Sequence, residues 1–254
     1  MKKQLISRLC ACLVVALCGM PLMAQGVIVY QKDGTKVKFP YELIDSIVTY
    51  NYGEDVEDEP VTPPATAPAG VEAVDLGLSV KWASCNIGAE SPEEYGDHFA
   101  WGETTTKSDY SSSSSVTYGL SLSELESRGI IGSDGNLTVE RDAATASWGG
   151  SWRMPTLDEM KELLDNCTWE WTVQKGVNGR KVTGPNGNSI FLPAAGYREN
   201  TSFYSVESGG FYWSTVPYED YSEYAHCLYF YSDYFGWNAP YNRFYGRTIR
   251  PVSE

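Results

Sequence analysis

The chain has 254 residues, with 33 acidic against 19 basic, a formal net charge of −14, and aromatic rings at 13% of positions. So acidic a surface repels phosphate backbones and argues against nucleic acid as a partner. Past the first two dozen residues, no run is long and apolar enough for a transmembrane helix.

Residues 1–24 read as a secretory signal. Lys2, Lys3 and Arg8 form its positive end, Leu9 to Met20 its apolar run, and Leu22-Met23-Ala24 suits cleavage before Gln25. Export implies a secreted or cell-surface protein. A lipid anchor at Cys18 is the rival, though Leu17 fits such a site poorly. Cleavage removes three basic and no acidic residues, leaving 16 against 33 and a net charge of −17. It also removes Cys10, Cys12 and Cys18, so Cys85, Cys167 and Cys227 remain. In an oxidising compartment, three cysteines suggest one pair and one free thiol. Cys85 with Cys167 is the expected structural disulfide; the alternative is that both are small buried apolar residues.

Residues 25–52 form a small β-rich unit. Val27 to Tyr30 and Lys36 to Phe39 read as strands around a turn at Asp33-Gly34. A helical turn within Pro40–Asp45 and a third strand over Ser46–Tyr50 follow. So few residues bury little apolar surface alone, which makes 27–50 a candidate for strand-mediated pairing with a partner. Residues 53–70, GEDVEDEPVTPPATAPAG, are an acidic, Pro- and Thr-rich linker.

The main domain spans 71–254. Val74 to Ala83 predicts a strand with a kink or turn at Gly77. Ser123 and Glu126 are spaced to cap a short helix, and Asp142 to Ser147 predicts one or two helical turns. Thr156 and Glu159 stand three apart, as a capping box requires, and Leu157, Met160, Leu163 and Leu164 then share one face. That predicts an amphipathic helix of about ten residues. From Trp169 the period becomes that of a strand. Gly176 to Lys181 and Pro185 to Asn188 predict turns, with short strands over Arg180–Thr183 and Ser189–Leu192. From Tyr197 to Tyr245, 18 of 49 residues are aromatic.

Six stretches of this domain resemble one family, the Fibrobacter succinogenes major paralogous domain group of secreted Bacteroidetes proteins. They are VDLGLSVKWASCNIGA (Val74 to Ala89), YGDHFAWGE (Tyr95 to Glu103), DAATASWGGSWRMPT (Asp142 to Thr156), LPAAGYR (Leu192 to Arg198), YWST (Tyr212 to Thr215) and NRFYGRTIRPV (Asn242 to Val252). The resemblance implies an α+β, C-type-lectin-like fold of small twisted antiparallel sheets, one or two short helices and long irregular loops. That fold is distantly similar to formylglycine-generating enzymes and to retroelement-diversified variable proteins. It further implies that Val74 to Trp82 lies beside Thr248 to Val252, that the helix at Leu157 packs beneath a small sheet, and that the C-terminal half forms a ligand face.

Catalysis finds little support in the residues. His98 and His226 lie in no recognisable triad motif. The formylglycine-generating relatives use paired cysteines near the C-terminus, where this chain has Cys227 alone. No zinc-ligand spacing is present. Calcium-dependent lectins use a Trp-Asn-Asp triplet, and the corresponding Trp237-Asn238-Ala239-Pro240 lacks the acid. Glu90, Glu93, Glu94 and Asp97 are able to offer oxygens to calcium, although a solvated acidic loop accounts for them as well. No cofactor is expected.

Two tyrosine-rich loops remain: Tyr218 to Tyr224 and Tyr231 to Asn242. Their Tyr, Trp, Ser, Asp and Asn content is that of antibody loops, where rings offer wide contact and short polar groups adapt their hydrogen bonds. Phe211, Trp213, Leu228, Phe230 and Ile249 are expected in the core. Tyr218, Tyr221, Tyr224, Tyr231, Asp233, Tyr234, Trp237, Asn238, Tyr241 and Asn242 are expected to face a ligand. The expectation is a non-catalytic binding protein for a glycan or protein ligand at the cell surface. An alternative is a fimbrial or surface-assembly tip component attached through its leading β unit. Another is a retroelement-diversified receptor, whose randomised Asn codons would yield the composition of Tyr231 to Tyr245.

Overall fold

The structure, a computed structural model, describes residues 67–237 and 240–254, together with the backbone of strands at 26–30 and 36–40. The expected signal segment, Cys18, the third strand over 46–50, most of the linker and Asn238 lie outside the described residues. The chain divides into two compact units, Met1–Pro60 and Val61–Glu254. In the first, β1 (Gly26–Tyr30) pairs antiparallel with β2 (Lys36–Pro40), Tyr30 opposite Lys36. This is the hairpin that Asp33-Gly34 predicts.

The second unit is α+β, with three short α-helices among small antiparallel sheets. Its chain ends are sewn together. β3 (Ala73–Val74) and β4 (Lys81–Ala83) form a hairpin, and β14 (Val252–Ser253) joins β4 on its other side, with Val252 opposite Trp82. The expected kink or turn at Gly77 is a full turn that reverses the chain. Gly77 takes φ +76°, and a Cβ there would stand 3.3 Å from Asn186, so a side chain meets both strain and crowding.

α1 (Leu122–Ser127) is capped by Ser121 and Glu124, two residues before the expected pair. This start turns Leu125 fully inward. α2 (Ala143–Trp148) begins at Asp142, whose carboxylate accepts the amides of Ala144 and Thr145. α3 (Leu157–Asn166) carries the expected capping box of Thr156 and Glu159, and buries Leu157, Met160, Leu163 and Leu164.

β5 (Thr168–Gln174), β6 (Val177–Thr183) and β7 (Ser189–Pro193) form a meander. The turn expected over Gly176–Lys181 is confined to Lys175-Gly176, both at positive φ, and β6 runs through the rest. Gly179 marks a close approach rather than a turn: a Cβ there would lie 2.4 Å from the Leu192 carbonyl oxygen. β8 (Tyr197–Glu199) and β9 (Ser202–Tyr204) make a small hairpin. The last sheet pairs β10 (Gly210–Pro217) with β11 (Tyr224–Phe230), and β11 with both β12 (Phe235–Gly236) and β13 (Pro240–Asn242).

Side chains alternate across this last sheet, and each face feeds its own core. Tyr212, Leu228 and Phe230 join Met160, Leu163 and Leu164 of α3. Trp213, Ala225 and Cys227 join Phe99, Trp101, Trp148 and Ile249. All five residues expected in the core are buried. The expected disulfide does not form, because its two cysteines belong to different cores. Cys85 lies in the second and donates to the Ala89 carbonyl at 3.2 Å, Cys167 packs against the first, and both are free thiols.

Candidate functional site

The alternation of β11 divides the expected ligand-facing residues into two groups. His226 shares a face with Leu228 and Phe230, towards α3. Beside it a groove of about 340 Å³ opens. Helix α3 contributes Leu157 and Lys161, one turn apart. The loop after β10 contributes Tyr218, Glu219 and Asp220. β11 contributes His226, and the residue after β12 contributes Trp237.

The rings of this groove form a row. Tyr221, 56% exposed, stacks on Tyr218 at 6.1 Å and 16°. Tyr218 lies 5.0 Å from the His226 ring, which lies 6.0 Å from Trp237. Tyr224 closes edge-on against Tyr221 at 5.7 Å. The Lys161 ammonium sits 4.6 Å from the Trp237 centroid, within cation–π range, and 3.1 Å from Asp158 Oδ1. Burial pushes the His226 imidazole below its usual pKa, with Lys161 adding to the effect. Its Nδ1 is buried and has no hydrogen-bond partner. Glu219 and Asp220 are exposed and form no ion pair among the described residues.

The second group lies on the other face. Tyr231 meets Phe211 at 5.7 Å and Tyr234 at 4.9 Å, and Tyr241 meets Phe211 at 5.9 Å. Beneath Tyr241, with its guanidinium carbon 3.9 Å from the ring centroid, is Arg247. That arginine is wholly buried, and Phe211, Trp213, Tyr197 and Tyr245 also surround it within cation–π range. Its Nη1 donates to Cys227 Sγ at 3.0 Å, while Nε and Nη2 have no partner. Burial holds the Cys227 thiol up at about 11, so it stays neutral. Tyr241 is therefore half-buried as the lid of an internal cation. Tyr234 is 51% exposed, with Asp233 exposed beside it. Asn242, half-buried on β13 opposite Tyr224, does not belong with them: directly paired residues share a face, so it lies on the side of Tyr224 and His226.

The acidic loop is engaged with the fold. Glu93 accepts from Gln174 at 2.7 Å and pairs with Lys175 at 3.2 Å, which holds its carboxyl down to about 2, the Gln174 contact foremost. Glu94 accepts the Glu90 amide at 2.8 Å. Among the described residues, no group of three or more His, Cys, Asp or Glu is placed to hold a metal ion. A second cavity, about 240 Å³, is lined by Val74 of β3, Gln174 of β5, Lys181 of β6 and Phe191 of β7; it contains none of the expected residues.

Both histidines are buried. Sequence reading missed Leu157, Lys161, Glu219, Asp220 and His226 as groove residues. The alternation of β11 holds a signal for His226, which stands two before Leu228 and so shares its face. Lys161 carries none, since it looks like any lysine on the polar side of a helix. Comparison with family models, with curated proteins and with solved structures returned no match for this chain.

Proposed function

We propose that this chain is an exported, non-catalytic binding protein that holds a glycan or protein ligand at the cell surface in the groove between α3 and Trp237. The carrying observation is that Tyr218 and Trp237, singled out from different loops, line one groove with polar groups of both charges. Ring faces with a few convergent polar groups are what small-ligand and sugar sites require. A C-type-lectin-like fold of the Fibrobacter succinogenes group is the proposed architecture. Its support is the six sequence stretches, the pairing of β14 with β4, and the seat of α3 against the β10–β11 sheet.

The test is a glycan array probed with the processed chain, with and without chelator. Any hit should weaken at least tenfold, about 1.4 kcal/mol, in Trp237→Ala and in Tyr218→Ala. Both variants should keep a cooperative melt near that of the parent. If the melt collapses together with binding, the rings are structural and the reading fails.

A further inference from the structure

The groove's charge narrows its ligand further, and the argument rests on the reading just given. We propose that the groove takes a primary ammonium group, seated against the Trp237 and Tyr218 rings and balanced by Glu219 and Asp220, in the place that the Lys161 side chain now fills.

The first support is the charge balance. Lys161 is matched by Asp158 at 3.1 Å. Glu219 and Asp220, both lining the groove, form no ion pair among the described residues. A neutral sugar would leave them so, and an anionic ligand would face two like charges at close range. A cation supplies what is missing.

The second is the placement of Lys161 itself. Its ammonium lies over a single ring, Trp237, at 4.6 Å, within the range of a cation–π contact. The groove thus already holds an ammonium, on a flexible four-carbon stem. A stem of that kind allows the head to leave without disturbing α3. Asp158, exposed at the helix start, gives the displaced head a partner.

The third is His226, only 9% exposed and part of the groove lining. Its Nδ1 has no hydrogen-bond partner, and in the tautomer protonated on Nε2 that nitrogen is an acceptor. Buried acceptors are rarely left so. An incoming N–H satisfies it, and a quaternary ammonium has none to give, which is why the primary class is favoured.

The test is a titration of the processed chain, followed by tryptophan fluorescence and calorimetry, at mildly acidic pH. The probes are glucosamine and N-acetyl-lysine methylamide, each against an uncharged counterpart: N-acetylglucosamine and N-acetyl-norleucine methylamide. Each ammonium probe should bind at least fivefold more tightly than its counterpart. The double variant Glu219→Gln, Asp220→Asn should erase that preference with an unchanged melt, both side chains being exposed. Lys161→Met should tighten the ammonium probes severalfold more than the uncharged ones. Equal or tighter binding of the uncharged probes overturns the ammonium assignment and leaves the groove reading standing. Absence of all four, with a blank glycan array, overturns both.

Discussion

On one face of the β10–β11 sheet, Trp237 and Tyr218 border a groove with a lysine at its wall. On the other, Tyr241, Phe211 and Trp213 close over Arg247, which is wholly buried. Both faces are aromatic, both set a cation against a ring, and both draw on the same tyrosine-rich stretch. They differ in where the cation is anchored. Lys161 stands on the outside of a helix and reaches in, so its place can be vacated. Arg247 lies in a backbone segment bridged to Phe99 on one side and followed by β14, wholly buried. Ring content alone does not mark a binding surface; the attachment of the charge among the rings decides whether that surface is open.

The largest effect should come from the closed face. Arg247→Ala removes the centre of a five-ring cage and leaves a void, and should cost about 3–5 kcal/mol in denaturant unfolding. Arg247→Met should recover most of that loss. It fills the cage and removes the two donor nitrogens that lack hydrogen-bond partners. On the open face, Lys161→Met should leave the unfolding midpoint nearly unchanged. Equal losses at Arg247 and Lys161 would mean that the two faces are built alike.

The two histidines sharpen the contrast through pH. His98 belongs to the closed side, where burial holds its imidazole down to about 4, with Arg198 and Arg247 adding to the shift. The unfolded chain protonates it near 6.5. Between those values the unfolded state binds the extra proton, so stability is full above about pH 6.5 and falls as pH drops towards about 4. The loss from His98 approaches 3 kcal/mol across that window. His226, on the groove side, shifts in the same direction. Denaturation curves across the window should flatten most in His98→Asn and less in His226→Asn. A larger effect at His226 would make the groove the more tightly closed of the two.

Much of the scaffold is legible in the sequence wherever one local rule decides the outcome. Thr156 and Glu159 give the start of α3, and the spacing of its leucines gives the buried face. Asp33-Gly34 between two strand-like runs foretells the antiparallel pairing of β1 with β2. Local rules fail where a distant neighbour decides. Gly179 resembles a turn residue until Leu192 is seen against it. Ser123 and Glu126 make as good a cap on paper as Ser121 and Glu124, and the burial of Leu125 chooses between them. The same holds for the site. Tyr234 and Tyr241 have similar polar neighbours in sequence, and only Arg247 beneath the second makes it a lid. An arginine near the chain end carries no mark that it will be buried.

The smallest expected effect tests the division most directly. Tyr234 is half exposed and touches Tyr231 and Tyr229, on the face away from Lys161. Sequence reading sets it beside Trp237 as one recognition surface, whereas the sheet sets the two apart. If the groove alone binds, Tyr234→Ala leaves both the melt and the affinity for any groove ligand unchanged, while Trp237→Ala loses the ligand. A macromolecular ligand that wraps the sheet edge would instead lose affinity in both variants, and a small probe in Trp237→Ala alone. Parallel losses for small probe and large ligand at Tyr234 would put the ring within reach of the groove, and the separation of the two faces would no longer hold.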